Sequence, residues 1–319
     1  MDINVKSTGK LFFRTLISLG ILLWLLSRVE LQKLFVSFAK IPFYIWFTAF
    51  GLYLMSQVVS AIRWYAIGQN LSFNESFSTY LRYYFVGMFF NLFLPSAIGG
   101  DVLKVFFLSQ GGKSRLKASY SIFLDRAFGL WAMFLIGVFA VLFNPSVLPD
   151  RWQFIILASG TIISIFAIIA PFMHGFIKKI LKNTDNLSFF NKILHYCEYM
   201  FLFWKKPKGL FIALFLSFIL QLCGMGSVFL LGYGLDLGLP ISFYYAALPI
   251  ISLITILPIS LSGIGVREGG FVYFLSLKGV PIEKALTLSL GVFAIQAFSA
   301  LIGGVGYILG VHKQVIKDE

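Results

Sequence analysis

The chain of 319 residues is 59% hydrophobic, only 12% charged, and carries a formal net charge of +13. A typical soluble domain is about 45–50% apolar and about 25% charged, so this composition excludes an ordinary soluble protein and predicts an integral membrane protein. Its apolar runs are continuous and about 20 residues long, which indicates spanning helices, and the positive charge is expected to serve cytoplasmic loops and anionic lipid rather than nucleic acid.

Six apolar segments are predicted to cross the membrane as full helices. The first follows a basic N-terminus, and no small-residue cleavage site follows Ser27, so we expect an uncleaved helix rather than a signal peptide. A basic cytoplasmic loop is predicted over 174–208, between the fourth and fifth spans. The six predicted spans cover residues 11–27, 43–62, 119–142, 153–173, 209–232 and 286–310.

Two further apolar segments, 80–110 and 243–276, are interrupted near their centres by proline and glycine. Each is too short for two complete spans and a turn, which need about 40 residues. We therefore predict two re-entrant helical hairpins; the alternative is a pair of short, tilted full helices in each segment. The residues that break the helices are Pro95, Gly99, Gly100, Pro258, Gly263 and Gly265.

The charge distribution predicts the orientation. Most of the 26 basic residues fall in segments that are cytoplasmic if the N-terminus is cytoplasmic, as the positive-inside rule requires. The predicted fold is thus an all-α polytopic membrane protein with six full transmembrane helices, two re-entrant hairpins and both termini in the cytoplasm.

The two broken segments resemble each other. The first reads "LPSAIGGDVLKVFFL" (Leu94–Leu108) and the second "LPISLSGIGVREGGFVYFL" (Leu257–Leu275). Each lies between two full spans, giving units 43–142 and 209–310 that are predicted to run in opposite directions through the membrane. Inverted repeats with broken helices near the midplane are typical of alternating-access transporters.

Charged residues inside the apolar segments are costly and are therefore candidates for function. They are Asp101, Lys104, Asp125, Arg126, Arg267 and Glu268. Asp101 and Lys104 are three residues apart on one helical face, whereas adjacent helical residues point about 100° apart and need not pair. In the alternative interpretation, these residues form internal ion pairs that only hold helices together.

Other polar positions have weaker signals. Arg63 and Arg82 are expected to extend to the cytoplasmic surface, although Arg82 begins the first hairpin and could also bind a headgroup. Asn91, Tyr83, Tyr84 and Gln296 could line a cavity or form hydrogen bonds between helices.

No metal or cofactor is predicted. His195, Cys197 and Glu198 lie close together, but their spacing is a poor metal template. Cys197 and Cys223 have no metal or redox spacing and are expected to be free thiols.

The motifs "NLFLPSAIGGDVLKVFFL", "LDRAFGL" and "LPISLSGIGVREGGF" resemble the transmembrane domain of lysylphosphatidylglycerol synthases, the flippase-like family. The resemblance extends from about Leu11 to Gly310. In bifunctional members this domain precedes an aminoacyl transferase and moves the aminoacylated lipid between leaflets. Standalone members are implicated in moving other lipids or polyprenyl-phosphate-linked sugars. Because no transferase domain is present up to Glu319, the resemblance implies a translocator in a prokaryotic-type cell membrane.

We therefore expect a lipid translocator without enzymatic activity. An anionic or aminoacylated phospholipid, or a polyprenyl-phosphate-linked lipid, would bind between the hairpin tips, and the protein would form homo-oligomers or work with a separate lipid-modifying enzyme. The alternatives are a membrane-embedded transferase that uses a polyprenyl carrier, and an accessory subunit of a lipid or cell-envelope synthesis complex. The expected substrate-binding residues are Arg267, Glu268, Asp101, Lys104, Asp125, Arg126, Gly99, Gly100, Gly265, Asn91 and Arg82.

Overall fold

The computed structural model describes residues 5–93, 99–169, 199, 203–257 and 259–308. Within these ranges the regular structure is entirely helical, and five helices are long and apolar enough to cross a membrane. The predicted class, an all-helical polytopic membrane protein, is confirmed, and the number of spans remains a prediction. The helices are α1 (Val5–Ser27), α2 (Leu31–Lys40), α3 (Phe43–Asn70), α4 (Phe77–Phe93), α5 (Gly99–Leu108), α6 (Arg115–Phe143), α7 (Asp150–Ile169), α8 (Pro207–Gly234), α9 (Ile241–Ile256), α10 (Val266–Ser276) and α11 (Ile282–Gly306).

Helix α2 was not predicted as a separate element. Its ten residues are too few to span a membrane, and only one face is buried, where Leu34 packs with Leu25 and Leu286. Phe35 on another face is 68% exposed. Helix α2 is therefore an amphipathic connection between α1 and α3.

The long helices have an apolar outer surface as well as an apolar core. Phe43 and Phe143 expose 83% and 85% of their surface, whereas Phe134 and Leu231 are completely buried within the bundle. Large exposed phenylalanines are expected where the surrounding solvent is lipid rather than water.

Each broken segment consists of two short helices that pack antiparallel. In the first, Gly100 of α5 lies against the backbone of Gly87 in α4, and the rings of Tyr83 and Phe107 stack with centroids 5.2 Å apart. In the second, Gly270 of α10 packs against Ile251 of α9. The helices contain 17 and 10 residues in the first segment and 16 and 11 in the second, so each is shorter than the roughly 20 residues needed to span the hydrocarbon core.

Helices α3 and α8 run antiparallel along their whole length. Both contain 28 residues. Gly234 at the end of α8 packs against Ile45 near the start of α3, and Gly209 at the start of α8 packs against Asn70 at the end of α3. When the two helices are aligned by their first residues, the glycine contacts occupy matching positions: residue 3 of each helix packs against residue 28 of the other.

Two other helix pairs make corresponding contacts, which differ by one residue in their glycine positions. Gly303 of α11 lies against the backbone of Phe85 in α4, and Gly137 of α6 packs against Pro249 in α9. Phe85 and Pro249 occupy the same position when α4 and α9 are aligned by their first residues. Each predicted unit therefore packs its broken segment against the final helix of the other unit.

Candidate functional site between the two helix tips

The first tip, defined as the start of α5 at Gly99, is held against α4 by one backbone contact and one hydrogen bond. A side chain on Gly100 would overlap the carbonyl oxygen of Gly87. The N–H of Gly100 donates to Oδ1 of Asn91 over 2.7 Å, which satisfies one of the free N–H groups at this helix end. The glycine thus permits the close approach that forms the tip.

Asp101, in the first turn of α5, is the centre of the first charged cluster. Its carboxylate accepts two hydrogen bonds from the Arg126 guanidinium of α6, at 2.9 Å from Nε and 3.0 Å from Nη2. Lys104 Nζ lies 3.2 Å from the same carboxylate and 4.0 Å from the centre of the Tyr84 ring. Lys104 exposes 3% of its side chain, whereas Arg126 exposes 58%. Arg126 is therefore the cation of this cluster that a ligand can reach.

The second tip, defined as residues 259–265 and the start of α10, is supported by α1. Gly265 has a φ of +85°, and a Cβ there would lie 3.0 Å from the carbonyl oxygen of Ser18. The N–H of Leu261 donates to Ser18 Oγ over 2.7 Å. Only glycine combines this backbone conformation with such a close approach to α1.

Glu268 is the centre of the second charged cluster. One carboxylate oxygen accepts from the N–H of Gly265 at 2.6 Å and caps α10, and the other accepts from Arg267 Nη2 at 2.5 Å. The Arg267 guanidinium also lies 4.8 Å from the centre of the Phe293 ring and donates to Gln296 Oε1 over 3.4 Å. Both side chains are largely buried: Glu268 exposes 1% of its side chain and Arg267 exposes 11%.

A cavity of about 240 Å³ lies between the two clusters. Helix α3 contributes Tyr53 and Gln57 to its wall, and Ser262 of the second tip contributes a hydroxyl. The cavity is thus built from both predicted units. The charged and amide side chains that line it are Gln57, Asn91, Lys104, Arg126, Arg267 and Gln296.

Asp125 forms an ion pair that is separate from this cavity. It accepts a hydrogen bond from Arg63 Nε at 2.8 Å, and Arg63 Nη1 donates to Ser217 of α8 over 2.8 Å. Both charged side chains are almost fully buried. The interpretation of Arg63 as a residue that extends to the cytoplasmic surface is therefore wrong: burial beside Asp125 keeps it within the bundle, and α3 continues past the predicted end at 62.

The structure brings together only some of the predicted site residues. Asn91, Lys104, Arg126 and Arg267 line the cavity. Asp101 and Glu268 contact it through their arginine partners, and Gly99, Gly100, Gly263 and Gly265 form the two tips.

Other predicted residues lie elsewhere. Arg82 is exposed on α4 and does not line the cavity, and Asp125 is paired with Arg63. Pro95 and Pro258 lie outside the described residues, as do His195, Cys197 and Glu198 in the predicted basic loop. The described part of the chain contains no group of three or more metal-ligating side chains.

Among the residues of the cavity wall that sequence reasoning missed are Tyr53, Gln57 and Phe293. Gln57 had a usable signal, because it is an amide in the apolar run of α3 and side chains of this kind are uncommon inside a spanning helix. Tyr53 and Phe293 gave no usable sequence signal, since aromatic residues occur throughout this chain.

The fold and this site define a polytopic membrane protein with a charged, partly open cavity between the broken helices and their neighbours. The chain matches the family described as Lysylphosphatidylglycerol synthase TM region over residues 11–304 and belongs to that family. It is 29% identical over 236 residues to the UPF0104 membrane protein MJ1078 of Methanocaldococcus jannaschii, a match that covers 72% of this chain and 97% of that protein. No solved structure matches this chain. Membership of the family indicates a multi-pass membrane location and a function related to membrane lipids.

Proposed function

We propose that this protein is a lipid translocator that binds an anionic headgroup in the cavity between the two tips and moves it between leaflets. The observation that carries the proposal is the position of Lys104, Arg126 and Arg267 around one polar cavity inside an apolar bundle. Ionisable side chains at such positions are costly to bury and mark substrate pathways in membrane proteins. A headgroup can occupy this cavity while its hydrocarbon tails stay in the bilayer.

Arg126 is the proposed anchor for a phosphate. Its planar guanidinium already forms two parallel hydrogen bonds with Asp101, which is the geometry that arginine also uses for phosphate. Because it exposes 58% of its side chain, a phosphate oxygen can bind it directly or replace one oxygen of Asp101. Lys104 and Arg267 would complete the positive environment from opposite sides of the cavity.

The proposed transport mechanism is alternating access by two inverted repeats. The antiparallel pairing of α3 with α8, and the reciprocal packing of each broken segment on the other unit, support a two-fold relation between units 43–142 and 209–310. The short helix lengths support re-entrant hairpins, since a broken helix is tolerated at membrane depth only where protein or a wet cavity surrounds it. Rocking of one unit against the other would expose the cavity to each side in turn.

We also propose that the protein is not an enzyme. Asp101, Asp125 and Glu268 are each held in an ion pair with an arginine, which leaves their carboxylates committed to binding cations rather than to acid–base chemistry. The expected partners are membrane lipids with an anionic headgroup, including polyprenyl-phosphate-linked lipids. Homo-oligomers and a separate lipid-modifying enzyme remain predictions.

Reconstitution into vesicles tests the proposal. Purified protein should accelerate leaflet exchange of a labelled anionic phospholipid, and Arg126→Ala and Arg267→Ala should reduce that rate at least about tenfold, the equivalent of roughly 1.4 kcal/mol of lost interaction. Arg28→Ala is the matched control, because Arg28 is exposed after α1 and away from the cavity. Wild-type exchange in both cavity variants would exclude this site, and exchange no faster than in empty vesicles would exclude the translocator.

A further inference from the structure

The charges around the cavity do not cancel. Among the described residues, Lys104, Arg126 and Arg267 face the cavity, and the carboxylates that pair with them belong to Asp101 and Glu268. Three cations against two carboxylates leave one net positive charge. The neighbouring Arg63–Asp125 pair is neutral and does not change this balance. A ligand with one net negative charge neutralises this excess, so the cavity favours such a ligand over a neutral or cationic one.

The carboxylates around the cavity accept hydrogen bonds from donors of the protein and are almost completely buried, with 7% of the Asp101 side chain and 1% of the Glu268 side chain exposed. Both oxygens of Asp101 accept hydrogen bonds from Arg126, and Lys104 lies beside them. Glu268 accepts from Arg267 through one oxygen and from the N–H of Gly265 through the other. An ammonium group on a headgroup would have to break one of these ion pairs to find a negatively charged acceptor, and it would also be repelled by three cations.

The rest of the polar wall suits uncharged hydroxyl groups. Gln57, Asn91 and Gln296 supply amides. The Gln57 amide already accepts from the Tyr84 hydroxyl and donates to Ser56, and Gln296 Oε1 accepts from Arg267, so the Gln296 NH₂ and the second amide proton of Gln57 are the donors left for a ligand. The Asn91 carbonyl oxygen is used by the N–H of Gly100, so its amide NH₂ is the part that can bind a ligand. Amides and hydroxyls hydrogen-bond to alcohols without adding charge.

The cavity is sized for a headgroup and not for a whole lipid. Its volume is about 240 Å³. Pockets that enclose drug-sized ligands start at about 300 Å³. A phosphate with a small polyol fits this range, whereas acyl or prenyl chains must remain outside.

We propose that the cavity selects lipids whose headgroup is a singly charged phosphodiester bearing neutral hydroxyl groups, and that it rejects headgroups carrying amines. This inference rests on the proposed binding of a headgroup in this cavity and names its chemical class. An aminoacylated phosphodiester with two amines has a net charge of +1 and adds to the excess positive charge. A phosphomonoester carries about −1.5 to −2 at pH 7 and exceeds the charge that the cavity compensates.

A binding comparison among lipids with identical acyl chains tests this selectivity. Purified protein in phosphatidylcholine nanodiscs is titrated with phosphatidylglycerol, lysyl-phosphatidylglycerol or phosphatidic acid, and bound lipid is counted by native mass spectrometry. We expect phosphatidylglycerol to bind at least about tenfold more tightly than lysyl-phosphatidylglycerol, because like charges a few ångströms apart in a protein site repel by more than the roughly 1.4 kcal/mol that this ratio represents. Equal or tighter binding of lysyl-phosphatidylglycerol would overturn the inference.

Two charge variants sharpen the test. Glu268→Gln raises the net charge of the cavity by one while its amide oxygen can still accept from Gly265, so the preference should move toward phosphatidic acid. Lys104→Met removes one positive charge at similar length and should reduce the advantage of phosphatidylglycerol over lysyl-phosphatidylglycerol. Lys33→Met, at an exposed position on α2, is the matched control and should leave the ranking unchanged. A ranking that stays the same in both cavity variants would contradict the charge argument.

The same lipids in a leaflet-exchange assay separate this inference from the proposed function. If phosphatidylglycerol binds selectively but is not exchanged, the translocator proposal fails and the headgroup assignment stands. If all three lipids bind and exchange equally, the headgroup assignment fails and the translocator stands.

Discussion

The two tips use the same chemistry in different ways. Each places a carboxylate in the first turn of a short helix and pairs it with an arginine. Asp101 takes its partner, Arg126, from another helix, and that arginine is 58% exposed. Glu268 takes its partner, Arg267, from the adjacent position, caps its own helix and is almost completely buried.

This difference indicates which tip a ligand can disturb. In the second tip, both partners of the ion pair belong to α10 and are largely buried, and α1 holds the tip through Ser18. Breaking this ion pair would therefore leave buried charges without compensation. The first tip connects α5 to α6 through an ion pair that faces the cavity. An anion that draws Arg126 away from Asp101 would loosen that connection, so we expect the first tip to respond to the headgroup and the second to serve as a fixed wall.

The largest effect is expected from removal of the buried carboxylate. Glu268→Ala should lower the free energy of unfolding by about 3–5 kcal/mol, because it leaves the Arg267 charge and the N–H of Gly265 unpaired in a buried site. Asp101→Ala should cost less, since Arg126 can be solvated in the cavity and the buried Lys104 ammonium, although it loses its carboxylate, keeps its contact with the Tyr84 ring. The measurement is the thermal unfolding midpoint in detergent.

Glu30→Ala, which breaks the exposed Glu30–Lys33 pair, is the control for this comparison and should leave the midpoint almost unchanged. Equal decreases of the unfolding midpoint in Asp101→Ala and Glu268→Ala would show that the two tips depend equally on their ion pairs.

The next effect concerns the backbone of the second tip. Gly265→Ala should cost about 2 kcal/mol or more, because φ is +85° and the new Cβ would lie 3.0 Å from atoms of α1. Gly269→Ala, four residues later in α10, meets no atom within 4 Å and should stabilise the helix slightly. The same unfolding assay compares the two variants, and similar midpoints would argue against close packing of the tip on α1.

A smaller effect is expected for Arg126→Lys, which keeps the charge but loses the planar pair of donors. Leaflet exchange of the anionic lipid should fall about tenfold, while the unfolding midpoint stays close to wild type because Arg126 is exposed to the cavity. Arg267→Lys should instead affect stability as well as exchange, since Arg267 is packed on Phe293. If Arg126→Lys lowered the unfolding midpoint as well as exchange, and Arg267→Lys lowered exchange alone, the second tip would be the one that responds to the ligand.

The smallest effect is expected for Ser18→Ala, which removes the acceptor for the Leu261 N–H. The loss should be about 1 kcal/mol, the usual range for one hydrogen bond. Hydrogen exchange of the Leu261 amide should become faster, while that of Gly100 at the first tip should not change. Unchanged exchange at Leu261 would mean that α1 does not hold the second tip.

Local signals were enough to find the breaks and the charges but not their partners. The interrupted segments were recognisable from proline, glycine and charge inside apolar runs, and the Asp101–Lys104 pair followed from their spacing on one helical face. The pairing of Asp125 with Arg63, and of Arg126 with Asp101, could not be read from the sequence. Asp125 and Arg126 are adjacent and face different neighbours, whereas the adjacent Arg267 and Glu268 pair with each other, so adjacency does not identify the partner.

The amino-acid sequence by itself determined that this is a helical membrane protein with two broken segments that carry charge. Those features depend on local composition, because hydrophobic run length and helix-breaking residues act within a few turns. Only the tertiary structure decided that Arg126 and Arg267 face one cavity, that Gln57 contributes to its wall, and that Asp125 does not. These outcomes depend on which helix faces pack together, and residues from distant parts of the chain set that packing.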